Sequence, residues 1–180
     1  MKRQHFIFIT LSLSLSLFIT GCASAPEAAS PVSVQESQPK ADLEEYERSK
    51  GDTSISIEDF ARDKKEILEI ISKMEKIMAD KNYDEWLKYV DSESQVYWSK
   101  PANLRKASNR LPTRGTVTLK SLEDYFTYVF ISSRSGRNID EIRYESENSV
   151  QAVEVRDELE LVYYNFKKVN GKWKINLPPI

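Results

Sequence analysis

Residues 159–178 read LELVYYNFKKVNGKWKINLP and predict a β-hairpin at the C-terminal end of the chain. Asn170-Gly171 separates two apolar runs, and this dipeptide is the strongest short signal for a type I′ turn. The first run has apolar side chains on both faces, namely Leu159, Leu161 and Tyr163 on one and Val162, Tyr164 and Phe166 on the other. Apolar side chains on both faces predict a central strand that is covered on both sides.

Two further segments with a period of two precede this hairpin. Ile142 and Tyr144 alternate with charged residues, and residues 150–155 form a second apolar run. Together with 159–166 and 173–177 they predict an antiparallel meander of four strands. Because helical patterns come first in the chain, the predicted class is α+β.

Helical periodicity dominates the region before the meander. After Ser56, which with Asp59 makes a variant capping box, apolar residues recur on one face over residues 57–79. A short helix is expected from Tyr83, and another from Ser121 to the glycine at 136. Residues 94–99 (SQVYWS) have strand propensity, and Pro101 opens a short helix that ends near Pro112.

The first 22 residues, MKRQHFIFITLSLSLSLFITGC, have the pattern of an export signal. Lys2 and Arg3 precede an apolar run that is too short to span a membrane, and the small Gly21 precedes Cys22. Residues 19–22 (ITGC) resemble the lipobox of bacterial lipoproteins. The resemblance implies cleavage before Cys22, attachment of a diacylglyceryl group to its thiol, and acylation of the new amino terminus.

These features predict an exported protein that is held by lipid on the cell membrane or the outer membrane. Residues 1–21 are then the signal peptide, and residues 22–55 the lipidated cysteine with a flexible tether, which contains a frayed helix over 41–50. The globular domain is expected over 56–180. Membrane contact through Cys22 is the first predicted interaction.

Composition excludes several kinds of chemistry. Removal of residues 1–21 takes away the only histidine, His5, and also Lys2 and Arg3, so the formal charge changes from −2 to −4. Without histidine, Ser-His-Asp catalysis and most zinc sites are excluded. No Gly-rich phosphate loop is present, and we expect no metal and no cofactor. Nucleic acid is not an expected partner of an exported, acidic protein.

The region 94–122 contains cations and no acidic residue. The cations are Lys100, Arg105, Lys106, Arg110, Arg114 and Lys120. Arg105, Lys106, Arg110 and Arg114 are candidate contacts for an anionic ligand, headgroup or acidic partner. The alternative is a solvated rim that pairs with acids elsewhere in the fold.

The long helix 57–79, the segment NYDEWLKYVD (82–91) and the closing hairpin with Trp173 resemble the nuclear-transport-factor-2-like superfamily. The resemblance covers residues 56–180 and implies a cone in which a curved sheet wraps the first long helix. Enzymes of this superfamily place an aspartate in the mouth of the cone, often beside a tyrosine or histidine. The candidates for such a pair are Asp84, Asp91, Asp140, Tyr97, Tyr125 and Tyr144.

Three functions therefore stay open. The first is a non-enzymatic domain that binds a small apolar ligand or an envelope protein, with Tyr97, Tyr144, Tyr163 and Trp173 as an aromatic wall. The second is an isomerase or hydro-lyase of the ketosteroid-isomerase type that uses a buried Asp/Tyr pair. The third is a structural envelope protein that forms a homodimer through the open face of its sheet.

Overall fold

The structure, a computed structural model, describes residues 38–112, 115–157 and 159–180, with side chains from Asp42 onward. The predicted signal peptide, Cys22 and Arg114 lie outside these ranges. Helices precede the sheet, as α+β order predicts. They are α1 (Gln38–Lys50), α2 (Ile57–Ala79), α3 (Tyr83–Leu87), α4 (Ser92–Trp98), α5 (Pro101–Arg110), α6 (Leu122–Tyr125) and α7 (Ile131–Arg134), and a π-helical turn (Phe126–Phe130) joins the last two. None of these described helices combines the length and the hydropathy that a membrane span requires.

The sheet is a four-stranded antiparallel meander, and all four of its strands are predicted by the sequence. The strands are β1 (Glu141–Ser146), β2 (Ser149–Arg156), β3 (Leu159–Val169) and β4 (Lys172–Asn176), in the spatial order β1-β2-β3-β4. Asn170 and Gly171 both have positive φ, 51° and 75°, as a type I′ turn requires. The hairpin prediction is confirmed.

A β-bulge in β3 changes which of its side chains face the helices. Ala152 of β2 pairs with Tyr164, whereas the next residue, Val153, pairs with Val162. Tyr163 is therefore an extra residue that has no partner on β2. Such an insertion shifts the alternation of side chains by one position.

The bulge explains why the apolar pattern of β3 looked two-sided. Leu161 pairs with Glu154, and Tyr164 pairs with Ala152. Ala152 and Glu154 are two residues apart, so they lie on the same face of β2. Leu161 and Tyr164 therefore share one face. The prediction of a strand covered on both sides is wrong for the first half of β3, where Leu159 and Val162 are 68% and 45% exposed.

The apolar face of α2 packs in one core with one face of the sheet and with the later helices. Ser56 caps α2, and its hydroxyl accepts a hydrogen bond of 3.1 Å from the Asp59 amide, so the predicted helix over 57–79 is confirmed. The central members of the core include Phe60, Ile67, Met74, Trp86, Trp98, Phe126, Phe130, Ile142, Val150, Phe166, Trp173 and Ile175. Helices α3 to α7 thus cover the same core.

The predicted strand at residues 94–99 is wrong, because this segment belongs to α4. Asp91 caps the helix, and its carboxylate accepts a hydrogen bond of 3.0 Å from the Ser94 amide. Ser94 and Trp98, one helical turn apart, are buried, while Val96 on the other side is 62% exposed. Burial with helical spacing outweighs the strand propensity of the segment.

Helix α1 packs on the fold, although the sequence predicted a frayed and exposed helix within the tether. The Tyr46 ring lies 5.6 Å from the Phe60 ring of α2, and its hydroxyl donates a hydrogen bond of 2.8 Å to the Ile55 carbonyl. Glu45 accepts a hydrogen bond from Lys64. Tyr46, the large aromatic side chain in this charged helix, was the signal that the segment is not a plain linker.

Candidate functional site

The structure does not bring the three predicted catalytic aspartates together. Asp84 and Asp140 are exposed. Asp91 is buried, and its carboxylate accepts hydrogen bonds from the hydroxyl and amide of Ser94 and from the side chain of Asn176. Asp91 therefore acts as the cap of α4 and links it to β4.

A buried carboxylate does meet a predicted tyrosine, but it is Asp63 of α2. The Asp63 side chain is 1% exposed, and its Oδ2 accepts a hydrogen bond of 3.1 Å from the Tyr144 hydroxyl. The ammonium group of Lys168 lies 2.9 Å from the same oxygen. Sequence reasoning missed Asp63, although its position three residues after Phe60 and four before Ile67 places it on the apolar face of the helix.

In the Asp63 cluster (Asp63, Tyr144 and Lys168) the polar groups bind one another. Burial raises the pKa of Tyr144 far above its ordinary value, and the charge of Asp63 adds to the increase. The Lys168 ammonium also lies 4.7 Å from the centre of the Trp173 ring. Each polar group of the cluster thus has a partner inside the protein, and the arrangement ties α2 to β1 and β3.

The four aromatic residues predicted to form a ligand wall lie at separate places. Tyr97 exchanges hydrogen bonds with the backbone of Ile180, 3.2 Å from its amide and 3.3 Å from its carbonyl. Tyr144 and Trp173 belong to the surroundings of Lys168. Tyr163 is the bulged residue of β3.

The other predicted side chains also have simple environments. Tyr125 is buried with its ring 4.3 Å from the Trp98 ring, and burial raises the pKa of its hydroxyl. Arg105, Lys106 and Arg110 are exposed on α5. These three cations share one helix and do not line an enclosed site with an aromatic wall.

A cavity of about 300 Å³ lies between the C-terminal half of α2, the loop after α7, and β3. We call it the Arg134 pocket. Its walls include Ile71, Met78, Ile139, Tyr164, Arg134 and Arg137. The first four supply a largely apolar surface, and the two arginines supply positive charge. Few-hundred-Å³ cavities of this mixed kind are typical of sites for small molecules.

The guanidinium of Arg134 lies against two aromatic rings that contact each other, with 5.9 Å between the ring centres. Its central carbon is 4.2 Å from the centre of the Phe130 ring and 5.3 Å from that of Tyr164. Such contacts offset part of the cost of burying a cation. Burial lowers the pKa of the Arg134 guanidinium from its ordinary value, and it raises the pKa of Tyr164 to about 12.

Arg134 lacks a carboxylate partner within the described ranges. One of its terminal nitrogens donates a hydrogen bond of 2.8 Å to the Ser133 hydroxyl, and its buried Nε has no hydrogen-bond partner. Arg143, the other half-buried arginine among the described residues, forms an ion pair with Glu141 at 2.8 Å. A partly buried guanidinium without an acidic partner attracts an anion more strongly than one in water.

The π-helical turn positions Arg134 over the ring of Phe130. The extra residue of a π turn changes the direction in which the following side chains point, and such turns occur frequently at functional sites. Phe130, at the end of the turn, is fully buried, and Arg134 follows it by four residues, directly over the ring. The sequence offered no sign of this turn beyond an aromatic cluster.

Comparison with known proteins finds one informative relative. No family model matches the chain, and no solved structure matches it. Over 125 residues the chain is 31% identical to a Treponema pallidum (strain Nichols) protein named "Uncharacterized lipoprotein". The match covers 69% of this chain and 66% of the relative, just under two thirds of the relative's length. This homologue supports a lipoprotein that is anchored in the cell envelope.

Proposed function

We propose that this protein is a lipid-anchored envelope protein that binds a small molecule in the Arg134 pocket without transforming it. The observation that carries the proposal is the half-buried guanidinium of Arg134, whose buried Nε has no hydrogen-bond partner, at a cavity of about 300 Å³. A wider groove of about 560 Å³ runs between α1 and α2, but its cation Lys64 already pairs with Glu45. Among the described residues that line these two cavities, Arg134 is the cation with a buried nitrogen that lacks a hydrogen-bond partner.

The anchor in this proposal is the lipid on Cys22. The ITGC sequence at residues 19–22 and the name of the homologue support it. Several acyl chains on one residue give stable membrane attachment, whereas a single chain binds reversibly. Replacing Cys22 with serine should move the protein from the detergent phase to the aqueous phase in a Triton X-114 partition, and retention in the detergent phase would contradict the anchor.

The position of the pocket is consistent with the resemblance to a nuclear-transport-factor-2-like cone. One face of the β1-β2-β3-β4 sheet packs on α2, and the pocket opens where Tyr164 of β3 faces Ile71 and Met78 of α2. A ligand site between the long helix and the sheet is what a nuclear-transport-factor-2-like cone would provide. We do not propose an isomerase, because the buried Asp63–Tyr144 pair is satisfied by Lys168.

A native mass spectrum of the full chain with Cys22→Ser tests the binding function. We expect a mass excess that disappears on denaturation and that is absent when Ile71→Trp fills the pocket. A bare mass for the Cys22→Ser variant, with no gain when an envelope extract is added, would contradict the proposal. The same spectrum tests the predicted homodimer.

A further inference from the structure

We infer that the Arg134 pocket selects a small amphiphilic carboxylate, a molecule with one carboxylate group and a compact apolar body. The inference rests on the proposed function and adds the chemical class of the ligand. The juxtaposition behind it is the Arg134 guanidinium, which has no acidic partner among the described residues, at a cavity whose apolar wall consists of Ile71, Met78, Ile139 and Tyr164.

The charge of the ligand follows from Arg134 and Arg137. Arg134 has no acidic partner within residues 38–112, 115–157 and 159–180, and its Nε keeps an unused hydrogen. Arg137 lies at the same cavity, with its guanidinium 5.2 Å from the centre of the Tyr163 ring. A planar guanidinium matches a carboxylate through two parallel hydrogen bonds, which makes this pairing stronger than one to a neutral acceptor.

The apolar walls of the pocket determine the size and the apolar character of the rest of the ligand. Met78 and Ile71 come from the buried face of α2, and Ile139 closes the loop side. A volume of about 300 Å³ is at the lower end of the range for small-molecule sites, so the body of the ligand is short. A carboxylate on a short alkyl or aryl group fulfils both requirements.

Glu75 makes a carboxylate a better fit than a more highly charged anion. This exposed acid of α2 lies at the same cavity and contributes to the raised pKa of Tyr164. Its negative charge offsets one of the two arginines, so Arg134, Arg137 and Glu75 together leave a formal charge of about +1 at the cavity. A monocarboxylate neutralises that charge, whereas a dianion such as a phosphate monoester leaves an excess negative charge. Glu75 therefore lowers the affinity of the pocket for anions, and removing its charge should strengthen the binding of a monoanion.

Calorimetric titration of the full chain carrying Cys22→Ser with octanoate tests this class, and octanamide serves as the uncharged isostere. We expect octanoate to bind about tenfold more tightly than octanamide, which corresponds to about 1.4 kcal/mol. Arg134→Gln should abolish that preference, and Glu75→Gln should increase the affinity for octanoate severalfold. Arg110→Gln, on exposed α5, is the matched control and should change neither affinity.

The outcomes separate this inference from the proposed function. Equal affinities for octanoate and octanamide, both lost in Ile71→Trp, would overturn the carboxylate preference and leave the binding pocket standing. An octanoate affinity that does not change in Glu75→Gln and falls equally in Arg134→Gln and Arg110→Gln would also overturn the inference. Failure of both compounds to bind would contradict the small-molecule function itself. Because Glu75 is exposed, its variant keeps the test decisive even where Arg134→Gln fails to fold.

Discussion

The hydroxyl of Tyr144 donates a hydrogen bond of 3.1 Å to Asp63, and the two residues are 81 positions apart in the chain. The bond joins β1 to the long helix α2 across the buried side of the sheet. Lys168 of β3 contacts the same carboxylate at 2.9 Å. One aspartate within an otherwise apolar helix face thus connects three elements of the fold.

Asp63→Ala should lower the free energy of unfolding by about 3 kcal/mol, because it leaves the Tyr144 hydroxyl and the Lys168 ammonium without their partner. Tyr144→Phe, which removes only the hydroxyl, should cost about 1 kcal/mol. Urea unfolding followed by tryptophan fluorescence measures both values.

The matched control for the Asp63 prediction is the exposed pair of Lys167 and Glu93, which lie 2.7 Å apart with side chains 44% and 77% exposed. Lys167→Ala should change the free energy of unfolding by less than about 1 kcal/mol. If Asp63→Ala were no more destabilising than Lys167→Ala, the Asp63 cluster would not hold the elements together.

Tyr164 should make stability fall at alkaline pH. Burial raises the pKa of its hydroxyl to about 12 from an ordinary value of 10.0, so the unfolded chain loses this proton first. The contribution is fully present below about pH 10 and is lost as the pH rises through about 12, with a size of about 2 to 3 kcal/mol. Urea unfolding of the wild-type protein and of Tyr164→Phe at several alkaline pH values measures the contribution of the Tyr164 hydroxyl.

In Tyr164→Phe the unfolding free energy should decline less steeply over the same pH interval. Tyr144, whose pKa is also raised, stays in both proteins and cancels in the comparison. Parallel pH dependences of the two proteins would show that the Tyr164 hydroxyl is not buried as the structure describes.

The turn between β3 and β4 depends on Gly171. Its φ of 75° is strained for other residues, although an added Cβ would meet no atom within 4 Å. Gly171→Ala should therefore cost about 1 kcal/mol through backbone strain and not through a clash. Thermal unfolding measures the change. Asn170→Gly, at a neighbouring position that also has positive φ, should change stability by only a few tenths of a kcal/mol.

The elements that the sequence predicted correctly are those with a local cause. Asn170-Gly171 forms its turn from its own backbone preferences, and Ser121 caps α6 at the position where the sequence predicts the start of a helix. The long helix 57–79 follows from its apolar spacing and from the cap at Ser56. In each case a few neighbouring residues contain the whole signal.

The features that the sequence did not predict depend on distant residues. With Tyr163 left out, Leu159, Leu161, Tyr164 and Phe166 fall on one face of β3, but only the pairing with β2 identifies Tyr163 as the extra residue. The strand-like segment of α4 is a helix because Ser94 and Trp98 are buried together. Arg134 is one of many arginines, and its role depends on the Phe130 and Tyr164 rings and on the lack of an ion-pair partner in the described part of the chain.

Methyl NMR of the full chain, labelled at methionine, tests the central claim that the Arg134 pocket takes a small molecule. The chain has three methionines, and of these Met78 lines the pocket while Met74 is fully buried in the core. On addition of octanoate we predict a saturable shift of the Met78 methyl signal, assigned with Met78→Leu, and an unchanged Met74 signal. No shift at Met78 at saturating octanoate would contradict the account.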